Sequence, residues 1–380
     1  MGSNYKKLGV YIRQIDTRNS DARLGEDNLY GISVTKEFII SHANLVGVTF
    51  DSYKVVAPRQ FAYIPDTSRR GDKIAISLNT FGKDIIVSSI CSVFEIIDED
   101  ELLPEYLMLW FMRPEFDRYA RFMSNGSARE VFDWDSMCGV ELPVPSLPEQ
   151  RKIVWNYGVI ARRISILNSI NNNMLTRIAC IFSNMFDNDG HQLRPLSEAI
   201  ATANTGGDAI QKVPIVDFDT GIKCARVGDI TNARTYPSWS FCKASKSTIE
   251  TFKLSKGDIL VTRTATLGIT QYIDKDLDAV FNNGLIRLRV NRKQVHPIWL
   301  YWAMNMPSFL NYINQMNSGT SVRPNMKIEY LLGYKLYIPS LDQQEAFVDV
   351  VRPMKSIVTN HYTEILKLTE LQSALMCTLQ

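Results

Sequence analysis

The second half of this chain repeats the plan of the first. A chain that repeats itself once must fold as two related bodies. At an offset of 193, Pro104, Leu107, Pro114, Phe116, Tyr119, Met123 and Gly126 meet Pro297, Leu300, Pro307, Phe309, Tyr312, Met316 and Gly319. After one inserted residue the offset is 194. Arg129, Leu142, Pro145, Ser146, Leu147, Gln150 and Val154 then meet Arg323, Leu336, Pro339, Ser340, Leu341, Gln344 and Val348. The matched positions are mostly proline, glycine and apolar residues, so they argue for a shared fold more than for a shared activity.

Each repeat ends in a long helical stretch. From Pro148 to Asp187, the residues Ile153, Tyr157, Ile160, Ile164, Leu167, Asn171, Met174, Ile178, Ile181 and Met185 follow at alternating steps of four and three. That is the spacing of a coiled-coil seam. At ~1.5 Å per residue such a helix is roughly 60 Å long. It is too long and narrow to bury inside one domain, so it needs a partner along its seam. The second stretch, from Asp342 to the end, supplies a less regular stripe of Phe347, Val350, Met354, Ile357, His361, Ile365, Leu368, Leu371 and Leu375. Pro353 lies inside it and is expected to kink the helix or delay its regular start. Asn171 and His361 read as partly exposed seam residues. The sharper reading is that each sets helix register and that they approach one another in an antiparallel pair.

The domains expected are residues 1–147, a central helix over 148–190, residues 191–341, and a C-terminal helix over 342–380. Residues 1–100 read as short strands and loops, with Leu29–Val34, Tyr53–Val56 and Asp84–Ile96 rich in β-formers. From Pro104 the texture is helical, and Leu142-Pro143-Val144-Pro145 is extended before the long helix begins. The fold class is therefore mixed α/β (α+β): two domains separated by two long coiled-coil helices, with a pseudo-two-fold internal repeat.

Net charge is only +2, but it is unevenly spread. Residues 1–147 carry 16 Lys and Arg against 21 Asp and Glu, whereas residues 191–341 carry 18 against 11. The second domain can attract a polyanion at long range; the first needs locally placed cations. No apolar run approaches the ~18 residues of a membrane span, and no secretory or lipidation signal opens the sequence. The six cysteines form no C-x-x-C and the four histidines are scattered, which fits free thiols in a reducing cytoplasm better than zinc. The P-loop, dinucleotide fingerprint, H-E-x-x-H and G-x-S-x-G are all missing; Gly206-Gly207 is followed by Asp208, not by the lysine a P-loop requires. An independent enzyme is disfavoured, and no cofactor or metal is expected of this chain.

What remains is a pair of polar, loop-bearing domains. Residues able to reach phosphates or base edges are Arg69, Arg70, Lys73, Asn79 and Lys83 in the first domain. In the second they are Asn204, Arg226, Asn232, Arg234, Lys243, Lys246, Arg263 and Thr264, with Tyr236 and Trp239 nearby. Arg129 and Arg323 recur just beyond the Gly loop of each repeat. They either touch phosphate or cap the helix that follows.

The order of these elements resembles one family. Two variable domains alternate with two related long helices, each introduced by a Pro-x-Leu-x-x-Gln segment: Leu142-Pro143-Val144-Pro145-Ser146-Leu147-Pro148-Glu149-Gln150, and Tyr337-Ile338-Pro339-Ser340-Leu341-Asp342-Gln343-Gln344. With Lys256-Gly257-Asp258-Ile259-Leu260 and the Tyr53–Tyr63 stretch, this is similar to the specificity (S) subunit of type I restriction-modification systems. The resemblance covers essentially the whole chain. It implies two target-recognition domains, each reading one half of a split sequence in double-stranded DNA. It also implies two helices that pair antiparallel, fix the gap between half-sites and dock two modification (methyltransferase) subunits. The restriction subunits of the full complex would carry the ATPase and nuclease, leaving this chain non-catalytic and away from membranes. Gln343 departs from the pattern, standing where the Glu of a Glu-Gln pair is expected, and Pro353 interrupts the second helix. Other readings are a specificity module of another restriction or methylation system, a stand-alone DNA-binding regulator, or a coiled-coil adaptor that binds only proteins.

Overall fold

A computed structural model describes residues 5–41, 47–67, 73–124, 130–186, 190–317 and 325–379. The chain divides into two compact units: Met1–Asn168 with Thr363–Gln380, and Ser169–Tyr362. Each unit therefore contains part of each long helix.

In the first unit, a four-stranded antiparallel sheet runs in the order Ile12–Ile15, Ser92–Ile96, Phe61–Tyr63, Ile76–Leu78. Three helices follow it, Pro104–Phe111, Pro114–Met123 and Trp134–Cys138. A short ribbon pairs Tyr5–Lys7 with Glu141–Pro143. The first two helices begin on proline, whose fixed φ suits the first turn and whose missing N–H costs nothing there. Aromatic rings fill the space between sheet and helices: Phe61 stacks on Phe94 at 4.8 Å and Phe111 meets both edge-on.

The second unit repeats this order. Its sheet runs Ile200–Thr205, Leu285–Val290, Ile259–Thr262, Thr270–Tyr272. Helices Pro297–Ala303, Pro307–Asn317 and Ile328–Leu332 follow, and the ribbon is Arg194–Pro195 with Lys335–Leu336. The units diverge in their second, smaller sheets. The first unit has two separate antiparallel pairs, Tyr30–Ile32 with Phe38–Ile40 and Lys54–Val56 with Ile85–Val87. The second has one sheet of four strands, Ile215–Val216, Phe241–Cys242, Lys223–Ala225 and Ala279–Phe281, whose last pair is parallel.

The central helix spans Leu147–Met185 and the C-terminal helix Leu341–Cys377. Both start on the same device. Ser146 caps the first, donating through N–H and Oγ to Glu149 Oε2 at 3.1 and 2.8 Å. Ser340 does the same to Gln343 Oε1, at 3.2 Å for both. A capping box accepts either Glu or Gln at that position, so the Gln343 departure leaves the cap intact. The next residue is a buried knot in each repeat. Gln150 accepts from the Leu103 N–H at 2.9 Å and donates to the carbonyls of Glu101 and Pro145, both at 2.9 Å. Gln344 accepts from the His296 N–H at 2.7 Å and donates to Gln294 at 3.0 Å and Pro339 at 2.9 Å. One amide thus ties the start of each long helix to the loop preceding helix Pro104–Phe111 or Pro297–Ala303, and both side chains are fully buried.

Within the second unit the two helices run antiparallel, because Asn171 meets His361 while Phe182, eleven residues on, meets Phe347 at 5.3 Å. The reading of Asn171 and His361 as partly exposed seam residues fails for Asn171, which is buried. Its Oδ1 lies 2.7 Å from His361 Nδ1. A lone polar pair in an apolar seam disfavours shifted registers, which would bury its atoms unpaired. Within the first unit, Arg163 pairs with Glu364 at 2.8 Å, and Ile153, Val154 and Tyr157 of the central helix pack on the same core as Met376 and Leu379. Two seam expectations need correction. Met185 is exposed, and Phe182 and Phe186 take the inward positions. On the C-terminal helix Val351 and Val358 are buried while Val350 and Ile357 face out. Adjacent apolar residues fit the stripe equally well, and only the partner decides between them. The C-terminal helix is continuous through Pro353 and begins at Leu341, so the expected delay does not occur.

Candidate nucleic-acid interface

Five segments of the second unit converge where the strands of its main sheet turn over. Gly206-Gly207 leave one strand, Arg263-Thr264 leave another, and Asn282–Gly284 lead into a third; Ala225–Val227 and Asn325-Met326 close in beside them. The joints are backbone hydrogen bonds: Gly207 N–H to Phe281 C=O at 3.0 Å, Asn283 N–H to Gly207 C=O at 2.9 Å, Asn282 N–H to Ala225 C=O at 3.1 Å, and Met326 N–H to Arg263 C=O at 2.8 Å. A Cβ on Gly206 would lie 2.3 Å from the carbonyl oxygens of Phe281 and Asn282, so only glycine permits this approach. The Gly-Gly pair joins the two sheets of the unit, a role its sequence context does not reveal.

Four predicted residues gather at or beside this cluster. Arg263 is half-buried and donates to the carbonyls of Met326 and Asn283, both at 3.1 Å. Its partners are neutral carbonyls, so its charge is left to project locally. Thr264 forms an antiparallel bridge with Asn325. Arg226 follows the strand Lys223–Ala225, reaching Ser240 Oγ at 3.0 Å and Asp229 at 3.4 Å. Asn204 sits two residues before Gly206, opposite Arg287 in the sheet. Arg234 is tied to the cluster through the buried Asp229, at 3.5 Å. Two guanidinium groups on one carboxylate leave an excess positive charge. The Arg234 turn is fixed from behind, since its carbonyl accepts from Trp239 Nε1 at 3.1 Å and Gln271 Nε2 at 3.4 Å. Tyr236 packs edge-on to Trp239 at 5.9 Å, and burial raises its phenol above the ordinary range. Asn232 is exposed, and its Nδ2 donates to the Gly228 carbonyl at 2.7 Å, closing the short helix Val227–Thr231.

Lys243 and Lys246 lie elsewhere. Strand Phe241–Cys242 runs antiparallel to Lys223–Ala225, so the residue after Cys242 emerges at the end opposite to Arg226. Both lysines are exposed there. In the first unit Lys73 and Lys83 are exposed. Asn79 is buried: its Nδ2 donates to the carbonyls of Val56 and Lys83, both at 2.9 Å, and its Oδ1 accepts from the Phe81 N–H at 3.0 Å. That side chain shapes a turn and has nothing left to offer a ligand. Arg69, Arg70, Arg129 and Arg323 lie outside the described residues. Sequence reasoning missed Asn283, which is exposed in the cluster; the Asn-Asn-Gly run signals a turn, and only the fold shows what the turn faces.

The first unit has an equivalent place. Asp66 bridges Val131 as Thr264 bridges Asn325, and Phe132 N–H donates to Pro65 C=O at 2.9 Å as Met326 does to Arg263. The side chains there differ. Thr67 Oγ1 donates to Ser124 Oγ at 3.0 Å and to the Glu130 carbonyl at 3.1 Å, and Glu130 pairs with Arg121. Among the described residues no group of His, Cys, Asp and Glu could hold a metal ion, and no helix is long and apolar enough to cross a membrane.

A family model described as the type I restriction modification DNA specificity domain matches residues 200–370. No curated protein sequence matches. Among solved structures, the chain is similar to the S subunit of a type I restriction-modification system from M. genitalium: 14% identity, 99% of this chain and 95% of that one covered, TM-score 0.60. At that identity the likeness is one of fold. The HsdS subunit from Thermoanaerobacter tengcongensis also matches, with 15% identity over 99% of this chain and 95% of that one and a TM-score of 0.36.

Proposed function

We propose, for a chain whose residues 200–370 match the model of the type I restriction modification DNA specificity domain, that it is the DNA sequence-recognition subunit of a type I restriction-modification complex. The residues divide into four working parts in this reading. Residues 1–147 and 191–341 each read one half of a bipartite target, and the helices over 148–190 and 342–380 set the distance between halves. The observation that carries it is the pair of equivalent loop junctions in the two units. Asp66, Thr67 and Glu130 stand in one; Arg263, Thr264 and Asn325 stand in the other. One fold presenting different donors and acceptors at the same place reads different base edges, so the two half-sites differ in sequence. In the second unit Arg226, Arg234, Arg263, Thr264 and Asn283 are the residues assigned to DNA, the arginines favouring phosphate or guanine and Asn283 favouring adenine.

The chain carries no chemistry of its own in this reading. Methylation belongs to two partner modification subunits and cleavage to restriction subunits in a cytoplasmic complex. Apolar side chains left exposed on the long helices suit that docking. Trp155, Val159 and Ile166 are exposed in the first unit, and Val350 and Ile357 in the second, spaced along each helix at steps of four and seven that return to one face. The test is the host's methylome with and without this gene. Deletion is expected to erase one split adenine motif completely while other motifs persist. An unchanged methylome in a host with active partner subunits contradicts the proposal.

A further inference from the structure

At the opposite end of the second unit's main sheet from the loop cluster lies an open cleft of about 520 Å³. Its cations are Lys256, Arg289, Arg292 and Lys293, and its one carboxylate is Asp258. That carboxylate is already used. It accepts from Arg289 Nε at 2.9 Å and Nη2 at 3.3 Å and from the Ser255 N–H at 2.9 Å, and it is almost wholly buried. Arg292 is held by a neutral group, its Nη2 donating to the Lys256 carbonyl at 2.9 Å. Among the described residues no carboxylate pairs with the side chains of Lys256, Arg292 or Lys293; Asp276 accepts only from the Lys256 main-chain N–H, at 2.9 Å. Thr202 also lines the cleft.

The internal repeat supplies the comparison. Arg59 of the first unit occupies the place of Gly257, two residues before the equivalent strand and with the same left-handed backbone, φ 69° against 96°. Asp98 accepts from the Asp100 N–H as Asn291 accepts from the Lys293 N–H, so Glu99 and Asp100 stand where Arg292 and Lys293 stand. In the first unit the site is closed by its own carboxylates. Arg59 is bonded to Glu99 at 2.6 Å and to Glu105 at 2.6 Å. In the second unit those positions are Arg292 and Ile298. Arg59 gives way to Gly257 and its two carboxylates to Arg292 and Ile298, so the ion pairs that close the first unit's site have no counterpart among the described residues of the second.

We infer that this cleft is an anion site that takes a phosphate group, held by Lys256, Arg292 and Lys293, whose side chains meet no carboxylate among the described residues. It rests on and extends the DNA-recognition reading. The phosphate is either one of the DNA backbone, beyond the bases the loop cluster meets, or a free phosphate. A backbone phosphate would give the second unit a sequence-independent grip that the first unit lacks. The test uses the full chain, a fluorescent duplex without the target sequence, and inorganic phosphate. Wild type, the Lys256→Gln/Lys293→Gln double variant, Arg292→Glu and the control Lys335→Gln are compared. If the source is DNA, the log–log salt slope of duplex binding falls by about 0.9 in the double variant and in Arg292→Glu, the contribution of one phosphate contact, and Lys335→Gln leaves it unchanged. If the source is free phosphate, phosphate raises the wild-type melting temperature over chloride at equal ionic strength, and the variants lose that rise with no change in slope. Neither effect in folded variants overturns the inference. A wild-type chain that binds no duplex at all counts against the recognition reading, and the phosphate arm then decides the cleft alone.

Discussion

Replacing Gln344 by alanine is expected to destabilise the chain by about 4 kcal/mol, a large loss for a single uncharged side chain. The amide makes three hydrogen bonds at 2.7, 3.0 and 2.9 Å, all to main-chain groups in a site closed to water. Alanine leaves the His296 N–H and two carbonyls buried without partners, and each such group costs about 1–3 kcal/mol. Gln344→Glu should be nearly as damaging at neutral pH, because an ionised carboxylate accepts from His296 but cannot donate to Gln294 or Pro339. Gln343→Glu, one residue away, should change stability by less than ~0.5 kcal/mol, since either residue closes the capping box. Urea unfolding of the three variants checks this. A Gln344→Ala loss below about 1 kcal/mol would mean that the knot is dispensable.

The second large effect is expected at Lys36. It stands in the turn between strands Tyr30–Ile32 and Phe38–Ile40, with φ 67°, and is nearly inaccessible to solvent. Its Nζ lies 2.8 Å from Asp117 Oδ1, donates to the Phe111 carbonyl, and sits 5.4 Å from the centre of the Phe116 ring. Burial pushes its ammonium below the ordinary lysine range, and Asp117 opposes that shift. The pair pins a hairpin of the divergent sheet to the helices common to both units. Removing one partner strands a buried charge, so Lys36→Met should cost about 3–5 kcal/mol. Lys36→Met with Asp117→Asn should recover much of that loss. A neutral amide still accepts from the Ile74 N–H, which Asp117 receives at 3.2 Å, and no charge is left unpaired. A double variant no better than Lys36→Met would show that the hairpin is held by packing rather than by charge.

The common frame was legible in the sequence because it rests on residues with few uses. Prolines open helices, a Ser-x-x-Glu or Ser-x-x-Gln step caps them, and heptad steps demand a partner. The shared glutamine was visible as a repeat, but its three buried bonds were not, because they join segments about 50 residues apart. Seam phase was lost wherever two apolar residues stand together, as at Val350-Val351 and Ile357-Val358. The candidate DNA residues were the least legible. Side-chain type alone put Lys243 in one group with Arg226, and antiparallel pairing sends them to opposite ends of their strands. Asn79 has the right chemistry for a base edge, and the fold spends all of it on a turn.

The central claim is that each unit reads its own half of a divided target. Its most direct test exchanges residues 1–145 for the matching domain of another specificity subunit, in a host with active partner subunits, and sequences the methylome. One half of the split motif should change, with the other half and the gap between them preserved. A change in both halves, or in neither, would contradict independent reading by the two units.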